Sequence, residues 1–409
     1  MKLMAKLAWR NIWRNRRRTL ITITAVVFAT LLSIVMRGIQ LGTYDENIEW
    51  ALNLFSGYLQ LQHPGFQDDP SLHKSFALSE DITAPLDADQ RVRGYAPRVY
   101  ADGLVSYGDN SLGAALFGIE PGVEDKVTRL TQKVNNGRMV ESSEALEVVL
   151  GNTLLRNLKA TIGDTIVILA QGYDGALGNM KYRIVGTVKT GMQEFDRASV
   201  FMGMRALQNL VALRDNISLI AVALHDLHDV TPVTDDANDM LDTAAVRALH
   251  WEEVMPDMKQ SIQLDNYSGM LFLAILIIVV AFGILNTVLM SVTERFREFG
   301  ILLSVGMPQR QLVLLVFLET LYIAMIGIIV GNLLALGVNW YLEVNPITFT
   351  GDMAAMYEEY GWLPQMRSVV LLSSIVNTSL AVLSLSFIAV LYPLYRVHKL
   401  EPLKGIRYT

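Results

Sequence analysis

The sequence predicts an α-helical membrane protein with four transmembrane helices and a large α+β extracytoplasmic domain inserted between helices 1 and 2. The 409-residue chain is 52% apolar and only 18% charged. The apolar excess is concentrated in four charge-free stretches, residues 19–36, 266–293, 320–342 and 368–395. About 20 apolar residues are enough for a helix to cross a bilayer. The long interval between the first two stretches can form a core of its own, so this composition excludes a wholly soluble or a disordered chain.

The distribution of charge predicts the orientation in the membrane. Residues 1–18, 293–311 and 395–409 together hold fourteen Lys and Arg but only three Glu, although the whole chain has a net charge of −6. Short segments rich in Lys and Arg stay on the cytoplasmic side. We therefore expect both termini in the cytoplasm and residues 42–267 and 342–368 outside.

The N-terminal segment is expected to form an amphipathic helix at the membrane surface. Its apolar residues and the indoles of Trp9 and Trp13 fall on one side, and its basic residues fall on the other. The pattern fits either a topology signal alone or a surface that also contacts a partner. No small-x-small cleavage site follows the first apolar stretch, so we expect an uncleaved anchor. The predicted segments are an N-terminal helix (1–18), transmembrane helix 1 (19–41), the extracytoplasmic domain (42–267), transmembrane helix 2 (268–292), a cytoplasmic loop (293–311), transmembrane helix 3 (312–341), an extracytoplasmic loop (342–368), transmembrane helix 4 (369–394) and a cytoplasmic tail (395–409).

The extracytoplasmic domain is expected to combine short strands and short helices. Alternating or β-branched apolar runs indicate the strands, and helical periodicity indicates the helices. Residues 44–54 are expected to continue the first transmembrane helix. The expected strands are 147–150, 165–170, 182–188, 200–202 and 218–224, and the expected helices are 152–159, 205–213 and 235–249.

No catalytic, cofactor-binding or metal site is expected in this chain. The sequence has no cysteine, which excludes thiolate ligands and cysteine nucleophiles. The histidines in residues 225–229 lack the spacing of a helical zinc motif. The sequence contains no Gly-Lys pair and therefore no P-loop. Any ATP that the protein uses is thus expected to be bound by a partner subunit.

The cytoplasmic loop mixes both signs of charge with an apolar ridge of Phe296, Phe299, Leu302 and Leu303. A short helix is expected here, ended by Gly306 and followed by a new helix at Pro308. Such a segment is either a simple turn or a coupling helix seated in a cleft of a cytoplasmic motor subunit. The close mixture of charged and apolar side chains favours the coupling helix. The expected ATPase-coupling residues are Glu294, Arg295, Arg297, Glu298, Phe299, Gly300 and Gly306.

The third transmembrane helix carries three residues that are expected to act in helix packing. Glu319 lies inside the expected span, where a charge is costly and is commonly functional or interfacial, unless its side chain extends to the headgroups. Gly327 and Gly331 form a small-x-x-x-small pattern. That pattern allows another helix to approach closely.

Several of these motifs resemble the FtsX-like permeases of ABC transporters, of the MacB/LolC/LolE type (type VII). The cytoplasmic loop at residues 294–302 with Gly306 is similar to that family's loop. Two further motifs resemble the same family: Phe317-Leu318-Glu319 with Gly327 and Gly331 in the third transmembrane helix, and Pro393-x-x-Arg396 with residues 401–407 at the C-terminus. In the outside domain, the following residues resemble the family's periplasmic core domain: residues 148–151, Leu155, Gly163-Asp164, Val185-Gly186 and residues 191–196.

The resemblance implies a permease of the bacterial inner (plasma) membrane that passes motion from a cytoplasmic ABC ATPase subunit dimer to its periplasmic domain. It also implies pairing with a second permease copy or a paralogue. The motor is expected on a separate chain, because this sequence begins directly at a membrane helix. Membrane lipids and a lipoprotein or periplasmic carrier are further expected partners, and nucleic acid is not. The expected role is lipoprotein release or amphiphile export. The alternatives are a regulator of an extracytoplasmic cell-wall hydrolase, like FtsX, and a membrane-anchored enzyme or sensor.

Overall fold

The computed structural model describes residues 2–359 and 361–399 of the chain. It divides the chain into a helical unit, formed by Met1–Tyr44, Ile262–Ile347 and Gln365–Thr409, and an α/β unit, formed by Asp45–Ser261 and Thr348–Pro364. The family-like motif expected at residues 401–407 lies outside the described residues.

The helices are numbered in chain order. They are α1 (Lys2–Arg14), α2 (Arg16–Ala51), α3 (Glu80–Ala88), α4 (Glu124–Val127), α5 (Asn152–Leu158), α6 (Gln193–Ala198), α7 (Met204–Leu210), α8 (Val230–Met240), α9 (Trp251–Val254), α10 (Pro256–Glu294), α11 (Phe296–Ser304), α12 (Gln309–Val344), α13 (Asp352–Glu359) and α14 (Leu372–His398). Among the described residues, four helical stretches are long and apolar enough to cross a membrane: Arg16–Ser56, Pro256–Glu294, Gln309–Val344 and Leu372–His398.

Local chemistry explains where α11 ends, where α12 begins and where α1 and α2 are divided. Gly306 has a φ of +98°, a conformation that glycine adopts without a steric penalty, and α11 ends just before it. Pro308 is the N-cap of α12. Both features were predicted from the sequence. The break between α1 and α2 falls at Asn15, where the Thr19 hydroxyl donates to the Ile12 carbonyl at 2.6 Å.

In the helical unit, α2 and α12 pack closely because two glycines of α12 face β-branched side chains of α2. A Cβ atom added to Gly327 would lie 2.6 Å from the side chain of Val26, and one added to Gly331 would lie 2.7 Å from Thr30. Such approaches exclude any larger residue without rearrangement. The inner half of the unit is filled by a buried apolar cluster that includes Val292, Phe299, Leu312, Val316 and Val390.

The α/β unit is built on a ten-stranded mixed sheet. The strands of the chain are β1 (Leu59–Gln62), β2 (Phe76–Ala77), β3 (Val92–Tyr107), β4 (Asn110–Ile119), β5 (Val134–Gly137), β6 (Glu147–Gly151), β7 (Thr165–Gln171), β8 (Leu177–Val188), β9 (Ser199–Gly203), β10 (Asn216–Ile217), β11 (Leu219–Leu224), β12 (Arg247–His250), β13 (Ile347–Thr348) and β14 (Gln365–Met366). The ten-stranded sheet has the order β12-β1-β11-β3-β4-β9-β6-β8-β5, and its tenth strand, β7, pairs with both β3 and β8. The short strands β2, β10, β13 and β14 lie outside this sheet. The antiparallel hairpin of β3 and β4 is the longest pairing in this sheet.

Most of the short elements expected in this unit are present, and one expectation is wrong. The expected strands correspond to β6, β7, β8, β9 and β11, and the helices to α5 and α7. The helix expected over residues 235–249 instead ends at Met240. The Asp242 carbonyl accepts from Ala245 and Val246 and turns the chain. Residues 247–250 then pair with β1 as an edge strand.

Candidate coupling site

Two arginines near the N-terminus pair with two glutamates around α11. Arg14 Nη2 lies 2.9 Å from both carboxylate oxygens of Glu298. Arg18 Nη1 and Nη2 bind the two oxygens of Glu294 at 2.8 and 2.6 Å. Arg14 and Arg18 are four residues apart, as are Glu294 and Glu298, and each set spans a break between two helices. Fork-to-fork contacts of the Arg18–Glu294 kind fix orientation as well as distance.

A third ion pair lies deeper in the same unit. Arg295 Nη1 is 3.0 Å from both carboxylate oxygens of Glu319, and Asn11 Nδ2 donates to the same carboxylate at 2.7 Å. The two charged side chains are only 13% and 12% exposed. The Arg295 guanidinium also lies 4.9 Å from the ring centroid of Phe299. Glu319 is therefore a paired charge, which offsets much of the cost of placing it in an apolar helix.

The electrostatics keep Glu298 ionised at neutral pH. Partial burial raises the pKa of this carboxyl group, but the hydrogen bonds and positive charges of Arg14 and Arg295 outweigh burial, so its pKa lies below the ordinary value. A charged Glu298 maintains the link to Arg14 and, at 3.3 Å, to Arg295.

The two faces of α11 differ in what they contact. Phe296 and Phe299 are buried in the apolar cluster of the helical unit. On another face Arg297 is exposed, and Ile301 and Val305 are 51% and 83% exposed. These three residues are spaced by four and therefore form one strip. We call Arg297, Ile301 and Val305 the outer strip of α11.

The residues expected to couple to an ATPase thus occupy four different environments. Glu294, Arg295 and Glu298 form ion pairs. Phe299 and Gly300 are buried, and Gly306 is in an exposed turn. Within residues 2–359 and 361–399, Arg297 forms no ion pair.

Sequence reasoning missed Asn11, Arg14 and Arg18 as members of this site. The available signal was the matched spacing of two arginines and two glutamates, but nothing in the sequence shows that these segments meet. The three ion pairs also line a cavity of about 350 Å³, together with the hydroxyl groups of Thr19, Thr287, Ser291 and Thr320.

A helical membrane unit joined to a large α/β unit defines a membrane protein with an extramembrane domain inserted after its first long helix. Comparison with known families identifies it further. The MacB-like periplasmic core domain matches residues 19–240, and the FtsX-like permease C-terminal domain matches residues 270–402. The first match spans more than half of the chain, so the protein belongs to the family of permeases with a MacB-like periplasmic core domain.

Individual relatives agree with this family. The chain is 26% identical over 329 residues to the lipoprotein-releasing system transmembrane protein LolC of Xylella fastidiosa, which covers 78% of this chain and 79% of LolC. It is 21% identical over 356 residues to the macrolide export ATP-binding/permease protein MacB of Bdellovibrio bacteriovorus, covering 80% of this chain and 49% of that protein. The periplasmic region of MacB from Actinobacillus actinomycetemcomitans aligns over 52% of the chain with a TM-score of 0.36 and 16% identity. Both named relatives are transport proteins, which does not favour a regulator of a cell-wall hydrolase.

Proposed function

We propose that this chain is the permease subunit of an ABC transporter of the bacterial inner membrane, with both termini in the cytoplasm. It transmits ATP-driven motion from separate cytoplasmic ATPase subunits to its extracytoplasmic domain, for release of lipoproteins or export of amphiphiles. It works as a pair with a second copy or a paralogue. Family membership, the LolC name of a relative aligned over most of both chains, and the lack of a P-loop motif in the sequence support this role.

The observation that carries the proposal is the double character of α11. One side of this short helix is fixed by ion pairs and buried phenylalanines, and the outer strip exposes two apolar side chains beside the exposed Arg297. Exposed apolar residues grouped on a rigid element mark contact sites for partners. This exposed apolar surface supports the outer strip as the contact for an ATPase subunit.

The ion pairs provide a route for motion away from this contact. Glu298 of α11 binds Arg14 of α1, and Arg295, the residue directly before α11, binds Glu319 of α12. Glu294, the last residue of α10, binds Arg18 of α2, so residues 294–298 as a group contact three other helices. A displacement of this group therefore acts on three other helices at once. Because α2 continues without interruption to Ala51, that displacement can reach the segment that enters the extracytoplasmic domain.

Co-purification of the full chain with its ATPase subunit tests this role. Val305→Asp places a charge on the outer strip, and we expect it to reduce ATPase retention and coupled ATP hydrolysis by roughly tenfold, as for loss of one central interface contact. Leu177→Asp alters an equally apolar side chain, 67% exposed, in the extracytoplasmic domain, and is the matched control. Equal retention in both variants would contradict the contact. ATP hydrolysis by the purified chain alone would contradict the separate motor.

A further inference from the structure

The end of α2 is joined to the sheet of the α/β unit by a buried ion pair. After Ala51 the helix widens into a π-helical turn over Leu52–Ser56. Arg98 of β3 donates to the main-chain carbonyl of Phe55 in this turn and to both carboxylate oxygens of Glu124 in α4. The side chains of Arg98 and Glu124 are each only 2% exposed. One guanidinium therefore connects the turn, the sheet and α4.

Further contacts hold the same turn in place. The Arg98 guanidinium lies 3.9 Å from the ring centroid of Phe55. That ring packs against three other phenylalanines, with centroids 4.7 Å away at Phe117, 5.4 Å at Phe195 and 5.5 Å at Phe201. The Thr128 hydroxyl donates to Glu124 at 2.7 Å, which satisfies a remaining acceptor of the buried carboxylate.

A second residue of the π-helical turn, Asn53, is held by separate hydrogen bonds. The Asn53 carbonyl accepts from the Arg129 amide at 2.6 Å. The Asn53 side-chain oxygen accepts from Arg93 of β3 at 3.2 Å, and the same guanidinium donates to the Val127 carbonyl at 2.9 Å. Two arginines of one strand thus bind two successive parts of the turn.

The energetics argue that this arrangement serves more than stability. Burying two charges is costly, and apolar residues of similar volume commonly give equal or greater stability. A buried ion pair that binds a backbone carbonyl instead fixes geometry. Single π-helical turns are uncommon and concentrate at functional sites. A helix that ended in an ordinary loop would bend at this point without moving the sheet.

We infer that Arg98 and Glu124 form a rigid joint that passes displacement of α2 to the extracytoplasmic sheet. This role rests on the proposed function, and Arg98 acts in it as a positioning residue. The joint keeps the last turns of α2 and the β3–β4 hairpin moving as one body. Release of this contact leaves a protein that hydrolyses ATP with its partner but does not convert hydrolysis into work on the substrate.

The absence of native cysteine allows a direct measurement. Spin labels at Glu49→Cys, in α2, and Asp109→Cys, at the tip of the β3–β4 hairpin, report the rigidity of the joint in the full chain bound to its ATPase. The test variant is Arg98→Met/Glu124→Leu. The matched control is Arg138→Met/Glu147→Leu, which removes an exposed two-point ion pair of the same domain. Arg98→Lys is a second test variant that keeps the charge but loses the forked contact.

We expect a broader distance distribution in both test variants than in the wild type or the control. Release of a fluorescent triacylated lipopeptide per ATP hydrolysed is expected to fall roughly tenfold, with ATPase binding retained. The exchanged pair Arg98→Glu/Glu124→Arg should restore neither the narrow distance distribution nor the release per ATP, because a glutamate at position 98 cannot donate to the Phe55 carbonyl. An unchanged distance distribution, or a broadened one with unchanged release per ATP, would overturn the joint. A wild-type complex without coupled hydrolysis would overturn the proposed function, while the spin-label distances would still report on the joint.

Discussion

Arg14 and Glu298 are 284 residues apart in the chain, yet Arg14 Nη2 lies 2.9 Å from both oxygens of the Glu298 carboxylate. This contact ties the N-terminal helix to the short helix that we propose as the ATPase contact. It lies beside the parallel pair of Arg18 and Glu294. If α11 contacts the ATPase as proposed, a displacement of α11 acts directly on the N-terminal helix through this pair.

The Arg14–Glu298 pair is expected to matter for coupling far more than for stability. Arg14→Glu and Glu298→Lys each place like charges together, and each is expected to lower ATPase stimulation roughly tenfold. The effect on stability should be small, because an exposed ion pair contributes only about 0–1 kcal/mol to the free energy of unfolding. The exchanged pair Arg14→Glu/Glu298→Arg should recover part of the lost stimulation, and the recovery is incomplete because the new arginine also lies beside Arg295. ATP hydrolysis of the reconstituted complex provides the measurement. Failure of the exchange to recover any stimulation would show that the contact itself is not what matters.

The Arg295–Glu319 pair is expected to control stability. Glu319→Leu removes the buried partner of Arg295 and leaves this guanidinium with only the longer 3.3 Å contact to the more exposed Glu298, which should lower the free energy of unfolding by about 3–5 kcal/mol. Arg295→Met/Glu319→Leu removes both charges and should be much less harmful. Thermal unfolding in detergent compares the two variants. A double variant less stable than the single one would contradict this interpretation.

Larger side chains in place of the glycines at the α2–α12 contact are expected to destabilise the protein. Gly331→Leu would drive a side chain into Thr30 and should lower stability by about 1–3 kcal/mol. Gly337 lies on the same helix with no atom within 4 Å of an added Cβ, so Gly337→Leu is the control for the change in helix propensity. Equal unfolding midpoints for the two variants would refute close packing at Gly331.

The pH dependence of stability has a defined sign at Glu147. The hydrogen bond from Arg138 is the main cause of a pKa below the ordinary value of 4.5 for this carboxyl group. A lowered folded-state pKa means that the contribution is fully present above pH 4.5 and is lost as pH falls through the lower folded-state value. Glu147→Gln should therefore destabilise the protein at pH 7 and have no effect in strong acid. A destabilisation that grows on acidification would have the wrong sign.

The sequence was most informative where local chemistry decides the structure. Gly306 and Pro308 determine where α11 ends and α12 begins, and both are visible as single residues. The break at Asn15 was not predicted, because it depends on a hydrogen bond between Thr19 and Ile12. The strand at residues 247–250 was mistaken for helix, since its pairing with β1 is decided by residues distant in the chain.

The candidate coupling site was only partly accessible from the sequence for the same reason. A short amphipathic helix within residues 293–311 can be predicted from its mixed charged and apolar pattern, and α11 lies there. The orientation of that helix cannot be predicted from the sequence. It depends on whether Phe299 or Val305 packs into the apolar cluster formed by the other helices. Likewise, Arg98 and Glu124 carry no local signal that they share a buried contact with the Phe55 carbonyl.

Cross-linking from the outer strip of α11 tests most directly whether α11 contacts a cytoplasmic ATPase, which the proposed transmission of motion requires. A photoactivatable cross-linker on Val305→Cys should capture the ATPase subunit in intact membranes, while the same probe on Leu177→Cys should not. Val305→Cys should also resist a membrane-impermeant maleimide added from outside, which should label Leu177→Cys. Labelling of Val305→Cys from outside, or capture of the ATPase from residue 177 and not from residue 305, would contradict the proposed coupling.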